Sequence, residues 1–236
     1  MENRINKGQF IVNRVKKETE DVVTIFLSAT DKTFTFQAGQ YVSVYLDKDK
    51  NSQAKFYTIS SAPEEKKITL SVKKIGNFSS ALHNLKVSDP VYLSGPFGWF
   101  YPNKDMDNLV FLAAGIGIAP FLSIIKDCQN KNIKKKVDIF YTNKTLDDIS
   151  FFEDMNKIAE KNDKLKVHYC LTRDKVKNEF IDRYERLDIK YLKEKLGDLT
   201  NKNFYICGPI SFVSDFRKQL LVSEVKEENI FTESFF

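Results

Sequence analysis

The sequence changes its hydrophobic period near residue 103, and this change limits the possible folds more than any other feature. Up to about Ser94, apolar residues alternate with polar ones in short segments separated by charged or Gly- and Pro-containing turns. Evenly spaced short strands of this kind are typical of an antiparallel barrel or sandwich. After Pro102, buried-strand segments alternate with helical segments, which is typical of a doubly wound parallel sheet.

The length supports a division into two domains. A chain of 236 residues exceeds the usual single-domain size of about 100 to 150 residues. We therefore predict an antiparallel β-barrel domain over residues 1–103 and an α/β domain with a doubly wound parallel sheet over residues 104–236. A helical segment with the sequence NFSSALHNL interrupts the strands of the first domain and is expected to cap the barrel.

Composition argues against several classes of protein. No apolar run approaches the roughly 18 residues that a membrane-spanning helix needs. The N-terminus lacks the apolar segment of a secretory signal, so the cytoplasm is the expected compartment. Cys128, Cys170 and Cys207 are odd in number and widely spaced, which argues against a disulfide framework, a metal site or an iron–sulfur site.

Positive charge is concentrated in the first domain. Residues 1–103 hold 14 Lys and Arg against 10 Asp and Glu, whereas the rest hold 23 against 22. The sequence contains no long basic run, which argues against a nucleic-acid partner. An acidic protein partner fits the surplus of positive charge at least as well as a nucleic acid does.

The segment LAAGIGIAP joins a predicted strand to a predicted helix. Gly115 and Gly117 would present free backbone amides, and Pro120 fits a first helical position. A phosphate is favoured at such a helix N-terminus. The third glycine of the Rossmann pattern is not evident, and a tight turn without a ligand explains the two glycines nearly as well.

Two further segments are predicted at the same carboxyl edge of the parallel strands, where open α/β sheets bind ligands. Cys207, Gly208 and Pro209 end one strand, although an isolated cysteine in a turn is more often just a small buried side chain. Thr172 and Arg173 follow another strand. A hydroxyl beside a guanidinium suits a phosphate monoester, and solvated loop charge is the alternative.

Aromatic residues mark two more candidate segments. The strand segment KFYTISS alternates aromatic or β-branched residues with polar ones, so its polar side chains either face water or hold a ligand. The chain closes with TESFF, whose phenylalanines need cover from the core or from a flat ligand.

In this order, the segments resemble the ferredoxin–NADP⁺ reductase family of flavoprotein reductases over nearly the whole chain, from FQAGQYVSVYL to TESFF. The family's Arg-x-Tyr-Ser or Arg-x-Tyr-Thr flavin motif appears as Lys55, Phe56, Tyr57 and Thr58. The resemblance implies that the basic residue meets the flavin pyrophosphate, the tyrosine packs on the isoalloxazine and the hydroxyl reaches its N5 edge. The resemblance implies FAD. Because lysine cannot form the bidentate fork of arginine, FMN or a loosely held flavin is the alternative.

The resemblance assigns further cofactor-binding residues. Val72 and Lys73 match the next flavin-contacting strand. The family's phosphate turn at a helix start, with its amides and hydroxyls, matches Gly76, Asn77, Phe78, Ser79 and Ser80. The family's nicotinamide-nucleotide loop matches Gly115, Gly117, Ile118 and Pro120.

In the second domain, the resemblance also implies catalytic roles. Cys207, Gly208 and Pro209 match the Cys-Gly motif beside the nicotinamide, and Glu233 matches the terminal acid that assists positioning or proton supply. Thr58, Cys207 and Glu233 are thus the expected catalytic residues. Phe235 matches the terminal aromatic residue that covers the flavin and is displaced by nicotinamide.

The resemblance implies an FAD-dependent oxidoreductase that passes electrons from NADPH or NADH through flavin to a separate acceptor. That acceptor is a ferredoxin, a flavodoxin or an oxygenase component, and the basic first half favours an acidic carrier. Thr172 and Arg173 align with the pair that takes the 2′-phosphate of NADPH, which favours NADPH. Two alternatives stay open: a reductase that uses free flavin, and a non-catalytic subunit or sensor, which the lysine at position 55 supports.

Overall fold

The computed structural model describes residues 6–30, 34–47, 53–103, 105–133, 135–174 and 177–235. Its contacts divide the chain into two compact units, one of residues 1–101 and 119–131, the other of residues 102–118 and 132–236. In the first unit, the Ser123 hydroxyl donates to the Ser61 carbonyl oxygen at 2.6 Å, which ties the segment 119–131 to the strands. The domain limits 1–103 and 104–236 stay a prediction.

The first unit contains an antiparallel six-stranded sheet in the order β4-β3-β6-β1-β2-β5. Its strands are β1 Asn6–Lys17, β2 Val22–Ala29, β3 Tyr41–Tyr45, β4 Lys55–Thr58, β5 Ile68–Lys73 and β6 Pro90–Phe97. A short helix, α1, spans Asn77–His83. The strands follow the period-two segments of the sequence because alternate residues turn toward the core.

The two end strands of this sheet meet, and the predicted antiparallel barrel is confirmed. Just beyond β4, Ile59 forms an antiparallel bridge with Leu70 of β5. The Ser60 amide donates to the Thr69 carbonyl oxygen at 2.9 Å. Closure satisfies strand edges that would otherwise be left unpaired. The barrel core is fully buried at Val42, Ile59, Leu70 and Leu93.

The second unit contains a parallel six-stranded sheet in the order β10-β9-β8-β7-β11-β12. Its strands are β7 Leu109–Ala114, β8 Val137–Asn143, β9 Leu165–Leu171, β10 Ile181–Arg183, β11 Asn203–Pro209 and β12 Ile230–Phe235. The longer helices of the second half are α2 Ala119–Asn130, α3 Phe152–Glu160, α4 Ile189–Leu196 and α5 Ile210–Val222. A 3₁₀ turn, Gly115–Ile118, joins β7 to α2. The predicted doubly wound parallel sheet is confirmed.

The strand order of this sheet reverses between β7 and β11. From β7 the chain adds β8, β9 and β10 on one side, and it then returns to add β11 and β12 on the other. Such a switch point opens a crevice at the carboxyl ends of the two central strands, where open α/β sheets bind ligands.

The strand β10 and the helix α4 were not predicted from the sequence. β10 has three residues, too few for a period to emerge. The sequence contained one signal for α4, an aspartate at the position before the helix. The Asp188 carboxylate caps the helix by accepting from the Tyr191 amide at 2.8 Å. Among the residues that the structure describes, no helix is long and apolar enough to cross a membrane.

Candidate functional site

The strand β4 presents the predicted flavin motif at one end of the barrel sheet. Tyr57 and Lys55 lie opposite Val42 and Val44 of β3, so they share the core-facing side of the sheet. Tyr57 is half-buried and Lys55 is exposed. Burial raises the pKa of the Tyr57 phenol to about 12, so this ring stays neutral at physiological pH. Thr58 is buried at the strand end.

The neighbouring elements place the remaining flavin candidates near this strand. The Tyr57 ring lies nearly parallel to Phe78 of α1, with centroids 6.3 Å apart and planes at 17°. Val72 is fully buried in β5. The Lys73 ammonium lies 2.9 Å from an Asp21 carboxylate oxygen. Burial raises the pKa of the Asp21 carboxyl group, but Lys73 outweighs burial and holds this pKa below its usual value. The lysine charge is therefore largely balanced within the barrel.

The start of α1 is an open backbone turn held by one serine. The Ser79 hydroxyl accepts from the amides of Ile75 and Gly76 at 2.9 and 3.0 Å and donates to the Gly76 carbonyl oxygen. This hydroxyl therefore fixes the turn. A side chain at Gly76 would meet nothing within 4 Å, so the turn faces open space. Asn77 is exposed and Ser80 is half-buried beside it.

The two glycine segments of the second unit touch at the switch point. A Cβ atom at Gly117 would lie 2.2 Å from the Cys207 carbonyl oxygen, a distance that no side chain tolerates. A Cβ at Gly208 would lie 2.9 Å from the Ala114 Cβ. Gly117 is thus required by close packing of the 3₁₀ turn on β11. Gly115 has a positive φ of 54°, and a side chain there would meet open space.

Two titratable groups lie side by side at this edge. Cys207 of β11 is in register with Glu233 of β12. Burial, with a contribution from Glu233, raises the pKa of the Cys207 thiol well above its usual value. Burial raises the pKa of Glu233 to about 7. The site therefore holds a neutral thiol beside a carboxyl group that exchanges its proton near neutral pH.

The other residues predicted for the nucleotide site of the second half lie in β12, in β11, in the 3₁₀ turn and at the start of α2. Phe235 is half-buried in β12, in register with the exposed Pro209. Ile118 is buried in the 3₁₀ turn, and Pro120 lies in the first turn of α2, which groups with the first unit.

Thr172 and Arg173 follow β9, which is separated from β7 by β8. The Thr172 hydroxyl donates to the Asn143 carbonyl oxygen at 3.3 Å, and the Arg173 amide donates to the Lys144 carbonyl oxygen at 2.8 Å. Both side chains are exposed. The structure thus groups the glycine loop, Cys207 and Glu233, and it sets the predicted 2′-phosphate pair apart from them.

A surface next to the flavin motif was missed by the sequence reasoning. The Tyr41 ring lies 5.6 Å from Phe56 and 5.8 Å from Phe97, centroid to centroid. Phe56 is 65% exposed and Trp99 is 77% exposed. We call Tyr41, Phe56, Phe97 and Trp99 the outer aromatic surface. The cluster of aromatic residues and glycines in GPFGWF was the available signal.

Hydrogen bonds to its backbone carbonyl oxygens hold the loop that displays Trp99. The Gln40 side-chain amide donates to the Gly98 carbonyl oxygen at 3.0 Å. The Tyr101 amide donates to the Trp99 carbonyl oxygen at 3.0 Å. A large aromatic side chain on a fixed loop loses little conformational freedom when a partner covers it.

The residues present fit the two cofactors. In the first unit, a neutral half-buried tyrosine, a buried threonine hydroxyl and an open helix start suit a ring, its polar edge and a phosphate. In the second unit, open space over Gly115 lies at the switch point where nucleotides bind. The weakest match is Lys55, whose exposed ammonium is a point charge where a fork of donors would hold phosphate better.

Two family models match the chain. Residues 7–101 match the oxidoreductase FAD-binding domain, and residues 111–218 match the oxidoreductase NAD-binding domain. Together they cover most of the sequence, and they confirm FAD as the expected flavin and a nicotinamide nucleotide as the second cofactor.

Curated relatives match most of this chain at low identity. Flavohemoprotein A of Dictyostelium discoideum is 28% identical over 251 residues, covering 96% of this chain and 60% of the relative. The glycine betaine monooxygenase reductase subunit of Pseudomonas aeruginosa is 26% identical, covering 88% of this chain and 59% of the relative. The chain thus spans about 60% of the length of these relatives.

Solved structures show the same fold. The FAD/NAD-binding domain of nitric oxide dioxygenase from Vibrio cholerae superposes with a TM-score of 0.86 at 23% identity, covering 97% of this chain and 98% of that one. Ferredoxin-NADP⁺ reductase from Plasmodium falciparum gives a TM-score of 0.80 at 20% identity, covering 98% and 97%. The chain thus carries an oxidoreductase FAD-binding domain followed by an oxidoreductase NAD-binding domain, in the two-domain fold that ferredoxin-NADP⁺ reductase also has.

Proposed function

We propose that the protein is an FAD-dependent oxidoreductase that takes a hydride from NADPH or NADH and passes electrons to a separate acceptor. The observation that carries the proposal is the grouping of Gly117, Cys207 and Glu233 at the switch point of the parallel sheet. When bound, the nicotinamide supplies a hydride and the flavin accepts it. The residues of the chain bind and orient the two groups and hold protons beside them.

In the second unit, the neutral Cys207 thiol offers a small apolar contact for the nicotinamide ring. Glu233, whose pKa burial raises to about 7, donates or accepts a proton at neutral pH without a large change in free energy. Gly117 brings the loop backbone against β11 and leaves the crevice free of a side chain. For Phe235, a role as an aromatic cover that nicotinamide displaces stays a prediction.

In the first unit, the neutral Tyr57 ring would offer a flat surface to a bound isoalloxazine, and the Thr58 hydroxyl would supply a hydrogen-bond donor for its N5 edge. Lys55 and the helix start at Asn77 would meet the pyrophosphate. Because Lys55 contributes charge but no bidentate hydrogen bonding, we expect weaker flavin retention than an arginine would give.

The preferred nucleotide in this proposal is NADPH. The exposed Arg173 guanidinium and the neighbouring Thr172 hydroxyl suit a 2′-phosphate, which NADH lacks. We expect Arg173→Gln to weaken NADPH binding by about tenfold, the equivalent of about 1.4 kcal/mol, and to leave NADH binding unchanged. Lys218→Gln, which removes an exposed positive charge from α5, is the matched control. Equal losses for both nucleotides would contradict the assignment.

Anaerobic titration of the FAD-reconstituted protein tests the proposed activity. We expect NADPH to bleach the visible absorption of the flavin stoichiometrically. A bound flavin that neither nucleotide bleaches would instead indicate a non-catalytic flavin-binding subunit or sensor.

The outer aromatic surface supports an acidic carrier protein or an oxygenase component as the acceptor. Exposed Trp and Phe side chains on a fixed backbone are typical of interaction hot spots. Phe56 lies in the flavin strand β4 and packs on Tyr41, in a domain with a positive charge surplus. A relative is named as the reductase subunit of a monooxygenase, which fits this class of partner. Electron transfer to such a carrier should slow steeply with added salt.

A reductase that uses free flavin is the second candidate, and the lysine at position 55 favours it. A flavin that is held loosely exchanges with the solution and acts as a substrate. In that case, reduction of added FMN or FAD should be fast and insensitive to salt, and the protein should lose its flavin on gel filtration.

A further inference from the structure

His168 lies in β9 between carboxylates from the two neighbouring strands. Its Nε2 atom is 3.5 Å from Asp138 Oδ1 on β8, and its Nδ1 atom is 3.6 Å from Asp182 Oδ1 on β10. Both ring nitrogens are buried, and neither forms a hydrogen bond of ordinary geometry with a described residue. The ring stacks on Phe140, with centroids 4.5 Å apart and planes at 20°. The imidazole is therefore fixed between two acceptors.

The two carboxylates select the protonated form of this ring. A neutral imidazole has one N–H donor, so one of its nitrogens would point a lone pair at a carboxylate oxygen. An imidazolium has a donor for each carboxylate, and the face of Phe140 favours its charge. Burial works against the charged ring, but Asp138 and Asp182 outweigh it and raise the pKa of His168. The charged ring and its two partners thus stabilise one another.

Other charged and titratable groups lie near Asp138, His168 and Asp182, but they do not take the position of the histidine between the two carboxylates. The Arg183 guanidinium is paired with Asp188 and lies 4.8 Å from the centroid of the Tyr191 ring. The remaining charged and titratable side chains of β9 and α4 are Lys166, Tyr169, Cys170, Lys190, Lys193, Glu194 and Lys195. Among the described residues, His168 is the cationic group placed directly between Asp138 and Asp182.

Asp182 connects this histidine to the edge of the sheet. β10 is an end strand of three residues, and its register with β9 shifts between Ile181 and Arg183. At this irregularity, the Asp182 carboxylate accepts from the Tyr169 amide of β9 at 3.0 Å. One carboxylate therefore contacts both the backbone of β9 and His168. Loss of the imidazole proton would leave two carboxylates facing an uncharged ring and would weaken the attachment of β10.

The segment between β9 and β10 begins with Thr172 and Arg173. Its first residues are tied to the end of β8 by backbone hydrogen bonds to Asn143 and Lys144, and its far end enters β10. We propose that protonated His168 is a latch that fastens β10 to the sheet through Asp182 and thereby positions Thr172 and Arg173. The latch stands on its own geometry, whereas its effect on a ligand rests on the proposed function, in which Arg173 meets a 2′-phosphate.

Hydrogen exchange of the ligand-free protein as a function of pH tests the latch. After correction for intrinsic exchange rates, we expect the β10 amides to lose protection as pH rises through the pKa of His168. That pKa is measured from the imidazole NMR signal, which His83→Gln assigns because the chain has two histidines. β7, a central strand of the same sheet that carries no titratable side chain, is the internal control and should lose less protection than β10. In His168→Gln, β10 protection should be low at every pH.

A second variant separates the latch from a general packing defect. Asp138→Asn keeps the bond between Asp182 and the Tyr169 amide but removes one carboxylate from His168. We expect the loss of β10 protection to move to lower pH in this variant. An identical pH dependence of β10 exchange in the wild type, His168→Gln and Asp138→Asn would overturn the latch.

Calorimetric binding of 2′,5′-ADP tests the positioning role. The second ionisation of a phosphate, near pH 6, raises affinity with pH in every variant, so the ratio of wild-type to His168→Gln affinity isolates the latch. We expect this ratio to be several-fold at low pH and to approach one above the pKa of His168. A ratio of one throughout would overturn the positioning role. If neither protein binds 2′,5′-ADP while exchange shows the latch, the assignment of the 2′-phosphate site fails and the latch stands.

Discussion

Replacing Glu233 by glutamine should stabilise the protein at high pH, which is the reverse of the usual effect of removing a carboxylate. Burial raises the pKa of Glu233 from 4.5 to about 7. Below the unfolded pKa, the carboxyl group is neutral in both states and costs nothing. As pH rises from the unfolded pKa through the folded pKa, the unfolded state gives up its proton first. The free energy of unfolding therefore falls, and the loss is complete above the folded pKa. At about 1.4 kcal/mol for each pKa unit, the loss is about 3 kcal/mol above pH 8.

Glutamine has nearly the same shape as a protonated glutamate and does not titrate. We therefore expect Glu233→Gln to match the wild type near pH 4.5 and to exceed it by about 2–3 kcal/mol at pH 8.5. Urea unfolding followed by far-UV circular dichroism measures this difference, provided that the m-values agree. Glu228→Gln, at an exposed carboxylate just before β12, is the control and should show no such gain. Equal pH dependence of the free energy of unfolding in Glu233→Gln and the wild type would refute the reasoning.

Three further substitutions test other parts of the site. Gly117→Ala places a methyl group 2.2 Å from the Cys207 carbonyl oxygen, so we expect a loss of about 1–3 kcal/mol in unfolding free energy and weaker nucleotide binding by calorimetry. An unchanged free energy of unfolding would contradict the close packing, and unchanged binding would contradict a role of the glycine loop in the nucleotide site. Lys55→Arg should tighten FAD binding by about tenfold in equilibrium dialysis, and weaker retention would argue against a phosphate contact. Trp99→Ala should raise the KM for a carrier protein about tenfold, while flavin bleaching by NADPH stays at the wild-type rate. A changed bleaching rate with an unchanged KM would exclude the docking role.

The architecture could be predicted because the two halves of the chain have different periods. Alternation in segments such as ITLSVKK marks strands with one buried face, and buried runs such as NLVFLAA mark the central parallel strands. The carboxyl-edge rule then placed the glycine loop and Cys207 together, and the structure brings them into contact. The glycine of position 117 was interpreted as a phosphate contact, but its first requirement is close packing against β11.

The parts that could not be predicted depend on register between strands. Asp138, His168 and Asp182 are far apart in sequence, and the pairing of β8, β9 and β10 brings them together. Tyr41 and Phe56 likewise meet across β3 and β4. A single sequence shows the period of each strand but not which strands pair or at which residues.

The rate of flavin bleaching in a single anaerobic turnover tests the central claim most directly. FAD-reconstituted protein is mixed with NADPH that carries either hydrogen or deuterium at the transferred position of nicotinamide C4. If the nicotinamide bound at Gly117, Cys207 and Glu233 delivers a hydride to the flavin, bleaching is complete and the deuterated nucleotide reacts more slowly. A protein that binds both FAD and NADPH but shows no bleaching would contradict the account.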